Sequence, residues 1–133
     1  MKEAFIDIRK QLEKKLKKDR FEHTIGVMYT AASLAMRYHE DIDDAMMAGL
    51  LHDCGKYGSV QEQVERCQKH GILLTQSELE MPALVHEKLG AYFAEKVYGV
   101  TNKAVLSAIT WHTTGRPEMT MLEKIIYIAD YIE

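Results

Sequence analysis

Two prolines and two cysteines in 133 residues leave the chain little with which to break or staple itself. Cys54 and Cys67 form no CxxC or other ligand spacing, which argues against a thiolate metal knuckle and a disulfide framework. Long apolar runs are absent too. The longest, Ile125-Ile126-Tyr127-Ile128-Ala129, is far too short to span a bilayer. The N-terminal stretch MKEAFIDIRKQLEKK is charged throughout and lacks the apolar core of a signal peptide. These absences predict a cytoplasmic protein in a reducing compartment, with no membrane partner. A formal net charge of −3 gives no general electrostatic reason to bind nucleic acid. The one basic run, Lys14, Lys15, Lys17 and Lys18, reads as a solvated helix face.

What remains is an ordinary globular composition, 47% hydrophobic and 28% charged, long enough for one domain with a real core. Apolar residues recur at spacings of three and four rather than two, which predicts an all-α fold. The expected helices are 3–18, 20–39, 43–54, 59–69, 82–98, 102–113 and 121–132. Capping boxes are expected at Ser59 with Glu62, Ser77 with Glu80, and Thr120 with Glu123. Gly55, Gly71, Gly99 and Gly115 read as helix stops, and Pro82 suits a first helical turn. There is no hairpin signal, internal repeat or linker, so residues 1–133 read as a single domain. The last helix carries no stop signal, as expected of a chain lacking a C-terminal extension.

Of the six histidines, His39 and His70 fall in last helical turns, where the helix dipole favours a cation. The other four sit on apolar faces: His23 with Val27, Ala31 and Leu34; His52 with Ala45 and Ala48; His86 with Leu89 and Phe93; His112 with Val105, Ala108 and Ile109. A single such histidine is commonly a hydrogen-bonded core residue. Four of them on different helices need four sets of partners. Asp53 follows His52 directly at the end of an apolar helix, where the dipole disfavours a negative charge. Asp130 stands on the face of Leu122 and Ile126. A desolvated carboxylate there needs a core Lys, Arg or His, or a metal ion.

The ordered set His23, His52-Asp53, His86, His112, Asp130 resembles the HD-domain superfamily of metal-dependent phosphohydrolases, whose pattern is H…HD…D. The strings Arg20-Phe21-Glu22-His23-Thr24-Ile25-Gly26-Val27, Leu51-His52-Asp53-Cys54-Gly55-Lys56, Trp111-His112-Thr113-Thr114-Gly115-Arg116-Pro117 and Lys124 to Glu133 look like its YqeK-like branch. That branch contains symmetrical bis(5′-nucleosyl)-tetraphosphatases, which split diadenosine tetraphosphate into two ADP. The resemblance implies an HD-domain bundle of about seven helices. It implies one metal on His23, His52, Asp53 and Asp130, and a second on His86 and His112 with Asp53 bridging. The family leans toward iron; manganese, cobalt, nickel or magnesium also suit imidazole and carboxylate ligands.

Asp53 and Lys56 are the expected catalytic pair, with Lys56, Arg116, Thr24 and Thr113 as candidate substrate contacts. Each has a plainer reading as a loop cation or a helix-end hydroxyl. Tyr57 and Tyr29 are candidates to stack on a base, and Cys54 reads as a small buried hydrophobe. The expected partner is a nucleotide, and a homodimer is compatible with so small a helical domain. The alternatives are another HD-type nucleotidase or phosphodiesterase, a di-iron oxygenase, and a non-catalytic nucleotide-binding module.

Overall fold

No proline or glycine marks the first break in the chain. In the computed structural model, which describes residues 2–133, Leu16 and Lys17 turn to extended backbone and separate α1 (Glu3–Lys15) from α2 (Lys18–Tyr38). The sequence pattern had placed this break two to three residues later. The driving force is burial: Leu16 turns inward to join Phe5, Ile8 and Leu12 in the core, and its amide still donates to the Leu12 carbonyl. α2 ends at His39, which is exposed and takes the left-handed cap conformation at φ 60°.

α3 (Ile42–Leu51), α4 (Val60–Lys69), α6 (Val85–Lys96), α7 (Lys103–Thr110) and α8 (Met121–Ile132) follow the apolar periodicity. The Ser59–Glu62 and Thr120–Glu123 boxes close as expected. The box expected at Ser77–Glu80 does not form. Thr75 and Glu78 make it instead and start a short α5 (Gln76–Glu80) that the apolar pattern misses. None of the residues of α5 is buried, so no apolar stripe exists to signal it. Pro82 opens a single 3-10 turn, Pro82–Leu84, that runs into α6. The count is thus eight α-helices rather than seven, with no strand among the described residues.

α2 packs along α3 and α8, α7 packs on α6 and α8, and α3 also reaches α7 and α8. The core between them is aliphatic and small: Val27, Met28, Ala31, Ala48, Leu50, Leu51, Leu89, Ala108, Ile109 and Ile126 are all fully buried. Two glycines set the spacing. A Cβ on Gly49 would lie 2.9 Å from the Met28 Cα, and a Cβ on Gly55 would lie 2.6 Å from the Gly90 amide nitrogen. Gly55 is therefore a point of close backbone approach between the α3–α4 connection and α6, not the left-handed stop expected from sequence. The positive φ in that loop belongs to Gly58.

Gly49→Ala tests this spacing. Alanine gains about 1 kcal/mol of helix propensity, but its methyl meets backbone rather than a side chain that can swing away. A net loss of ~1–3 kcal/mol is expected, read as a lower urea midpoint at unchanged m.

Candidate metal centre

Five helices deliver six side chains to one place. His23 comes from α2, His52 and Asp53 from the turn closing α3, His86 from the start of α6, His112 from the turn closing α7, and Asp130 from α8. α3 and α7 stop at Leu51 and Thr110, short of the expected ends at 54 and 113, so His52 and His112 project from helix ends. An adjacent His-Asp pair on a continuous helix would point about 100° apart. The turn after α3 brings His52 and Asp53 to the same point.

Three imidazoles are oriented in the same way. Nδ1 of His52 donates to the Gly49 carbonyl at 2.7 Å, Nδ1 of His86 to Ala83 at 2.7 Å, and Nδ1 of His112 to Ile109 at 2.6 Å. A carbonyl oxygen only accepts, so Nδ1 carries the proton and Nε2 is left to bind. The three Nε2 atoms converge on Asp53. Oδ2 of Asp53 lies 3.3 Å from Nε2 of His52, and Oδ1 lies 3.4 Å from Nε2 of both His86 and His112. Nε2 of His86 and of His112 stand 3.1 Å apart. On the other side, Oδ1 of Asp130 sits 2.7 Å from Nε2 of His23 and 3.3 Å from Nε2 of His52.

The charges respond to this crowding. Burial alone would strip the proton from His52, but Asp53 and Asp130 outweigh it and hold the imidazole up at about 10. Burial would raise Asp53, yet the charge on His52 and the close approach of His112 and His86 hold it well below the carboxylate range. Asp130, likewise pushed up by burial, is drawn down to about 2 by His52 and His23.

These residues fit a metal ion better than they fit one another. Nε2 of His52 is fully buried and has no hydrogen-bond partner, although two carboxylates face it. Two Nε2 lone pairs meeting at 3.1 Å repel unless a cation lies between them. Two ligands bound to one ion at about 2.1 Å, roughly 90–110° apart, are themselves about 3.0–3.4 Å apart, which matches these separations. His23, His52 and Asp130 form one group able to hold an ion, and His52, Asp53 and His112 another. His52, Asp53, His86 and His112 are buried, while the His23 and Asp130 side chains are 18% and 26% exposed, so the cluster opens to solvent on the α2–α8 side.

Two residues that the sequence pattern did not single out hold this arrangement. Nη1 of Arg20, one helical turn before His23, donates to Oδ2 of Asp53 at 3.1 Å. Its i, i+3 spacing from His23 was the available signal. Glu87, buried beside His86, accepts from the Thr113 and Thr114 amides at 2.7 and 3.1 Å and so fixes the turn that carries His112. Nothing local marks Glu87, because its partners lie 26 and 27 residues away.

The remaining candidates are placed as follows. Lys56 is exposed at the mouth of a cavity shared with Arg20. Arg116 is not brought to the cluster: its guanidinium binds Glu123 at 2.9 Å and Ser107 at 3.2 Å and lies over Trp111. Thr24 is wholly buried and its hydroxyl has no partner. The Thr113 side chain is exposed while its amide serves Glu87. One face of Tyr57 is covered by the Arg66 guanidinium at 4.0 Å, and Tyr29 is exposed. Cys54 is buried, its thiol donating to the Gly90 carbonyl, and burial pushes its pKa up. No helix among the described residues is long and apolar enough to cross a membrane.

Residues 20–133 match the HD domain family. A symmetrical bis(5′-nucleosyl)-tetraphosphatase of Bacillus subtilis is 40% identical over 92% of this chain and 65% of its own length. One from Halalkalibacterium halodurans is 42% identical over 89% of this chain and 63% of its own length. The chain thus spans somewhat less than two thirds of these relatives. A crystal structure described as that of a predicted HD superfamily hydrolase involved in NAD metabolism, from Clostridium acetobutylicum, superposes with a TM-score of 0.91 at 44% identity, covering 97% of this chain and 68% of that one.

The Arg116–Glu123 pair gives a test of Arg116's place. Burial pushes the Glu123 carboxyl up, but the Thr120 amide, Arg116 and Ser107 hold it below the usual glutamate range. A depressed carboxyl stabilises the fold above its unfolded pKa and loses that contribution as pH falls through its folded one. Arg116→Met should therefore cost ~1–2 kcal/mol at pH 7, and the gap from wild type should close as pH drops below about 4. Urea melts across pH check the stability, and elemental analysis should show unchanged metal content.

Proposed function

The chain belongs to the HD-domain family, and we propose that it is a metal-dependent phosphoanhydride hydrolase that splits diadenosine tetraphosphate symmetrically into two ADP. The observation that carries this reading is the buried Asp53 carboxylate, with Oδ2 turned to His52 and Oδ1 to His86 and His112. A carboxylate with a separate set of donors at each oxygen can bridge two ions. The names and identities of the bacterial relatives support the choice of substrate.

In this reading His23, His52, Asp53 and Asp130 hold one ion, and His86, His112 and Asp53 hold the other. A bound divalent cation supplies a water of lowered pKa and neutralises phosphoryl charge. The chain's own residues do the rest. The three Nδ1–H bonds lock the tautomers of His52, His86 and His112, so each presents Nε2 without rotating. Arg20 holds Oδ2 of Asp53 in place, and Glu87 holds the His112 turn. Lys56, three residues beyond Asp53 and exposed, meets the phosphate. Imidazole and carboxylate ligands without thiolate favour iron, with manganese, cobalt, nickel or magnesium as substitutes. We read residues 1–133 as one domain that works in the cytoplasm on a free nucleotide, without nucleic acid or membrane, and a homodimer is compatible with it.

Freshly purified protein should carry stoichiometric metal, and a chelator should lower its Tm. A ligand at a hundred times its Kd stabilises by about 2.7 kcal/mol. His52→Ala and Asp130→Ala should each lose the metal and with it the chelator effect; stoichiometric metal retained in either variant removes that residue from the ligand set.

Anion-exchange chromatography of the products tests the reaction itself. Two ADP per diadenosine tetraphosphate is the expected outcome, whereas AMP with ATP contradicts symmetrical cleavage. Lys56→Gln should lower kcat/KM by roughly a hundredfold, the scale of one lost charge-stabilising contact, with metal content unchanged.

A further inference from the structure

Between the end of α1, the start of α2 and the loop after Asp53 lies a cavity of about 370 Å³. Lys15, Lys17, Arg20 and Lys56 line it, against one carboxylate, Asp19. Asp19 is engaged with the Arg20 amide at 2.9 Å. Lys15, Lys17 and Lys56 take part in no ion pair among the described residues. The Lys15 ammonium rests 5.5 Å from the centre of the Tyr57 ring. Tyr57 itself is held under Arg66, whose guanidinium also donates to the Tyr57 carbonyl at 2.6 Å. In a chain of net charge −3, this is a local concentration of positive charge in a concave place. Half of the basic run that read as a solvated face, Lys15 and Lys17, turns out to line it; Lys14 and Lys18 do not.

One side chain links the cavity to the His–Asp cluster. Arg20 lines it and also donates to Oδ2 of Asp53. We propose that this cavity seats the part of the phosphate chain that lies beyond the reacting anhydride, and that Lys15 and Lys17 select for chain length. The proposal rests on reading the His–Asp cluster as a phosphoanhydride hydrolase centre. Its ligand chemistry is a polyphosphate of three or more phosphates, whether free or carried between two nucleosides. In this proposal a single phosphate held at the cluster gains less from Lys15 and Lys17 than a chain that also enters the cavity. Concave, unpaired cations also suit a compact polyanion better than a flat acidic surface, since low-dielectric walls strengthen their field.

The test compares two double variants with the same loss of charge. Lys15→Gln with Lys17→Gln removes the cavity lysines, and Lys14→Gln with Lys18→Gln removes their neighbours outside it. All four are exposed, so neither variant disturbs the core. Inorganic tripolyphosphate is titrated calorimetrically into the metal-loaded protein. The cavity variant should bind at least about tenfold more weakly than wild type, and the neighbour variant within about twofold of it. Orthophosphate should bind all three proteins alike. Wild-type affinity for tripolyphosphate in the cavity variant overturns the proposal, and so does an equal loss in both variants, which would mean a diffuse field. An equal loss for orthophosphate overturns the role in chain length.

A second arm separates free polyphosphate from the dinucleotide. With diadenosine tetraphosphate, the cavity variant should show KM raised about tenfold and kcat little changed. Unaltered KM alongside weakened tripolyphosphate binding assigns the cavity to free polyphosphate. Tripolyphosphate binding that depends on Lys15 and Lys17, in a protein that cleaves no dinucleotide, supports the cavity and removes the hydrolase reading.

Discussion

Everything at the centre of this bundle is arranged around one carboxylate. Asp53 is buried just past the C-terminal end of α3, where both desolvation and the helix dipole oppose its charge. It stays ionised because three imidazoles and a guanidinium surround it. These neighbours lie at 3.1 to 3.4 Å, close enough for strong attraction but, for the histidines, too long for good hydrogen bonds. Such a cluster is electrostatically tense without a further cation. The tension explains why binding and folding should be coupled here: an ion that fits replaces protons and relieves the like-facing lone pairs of His86 and His112.

Holding that geometry is a problem of backbone spacing. Helices packed through large side chains stand about 8–10 Å apart, and six ligands from five helices converge only where some contacts are closer. Gly49 lets α3 approach α2 at Met28, and Gly55 lets the following turn approach α6 at Gly90. Both glycines lie three residues from His52 in the chain. The small alanines Ala45, Ala48 and Ala108 extend the same thin packing layer around the centre. Positioning is thus shared between the backbone, which sets distance, and the carbonyls of Gly49, Ala83 and Ile109, which set ring orientation.

The parts of this architecture that sequence reading reached are those carried by local pattern. Apolar spacing locates the long helices, and the two expected capping boxes that form, at Ser59 and Thr120, stand at helix starts with a buried face to follow. Imidazoles and carboxylates on apolar faces pick out all six members of the cluster, because a buried polar group is anomalous wherever it falls. What sequence reading missed depends on distant partners or on the absence of a pattern. α5 has no buried stripe. Leu16–Lys17 breaks a helix with two good helix formers, because packing of Leu16 overrides propensity. Arg116 reads as either a phosphate contact or a loop cation, and its buried partner Glu123, seven residues on, looks like an ordinary capping glutamate. Lys15 and Lys17 are exposed, as a solvated face requires, and the cavity they share with Arg20 and Lys56 is assembled only by the fold.

The cluster has a closed side and an open one, and this asymmetry limits how a charged ligand can approach. His86, His112 and His52 are buried behind α3, α6 and α7, whereas the His23 and Asp130 side chains remain partly exposed. Arg20 follows the same polarity, with one end on Asp53 and the rest of its head group lining the cationic cavity. In the proposed reading the exposed lysines of that cavity supply the long-range attraction for a polyanion that the net negative charge of the chain does not. Arg20, with its guanidinium on Asp53, ties one wall of the cavity to the His–Asp cluster.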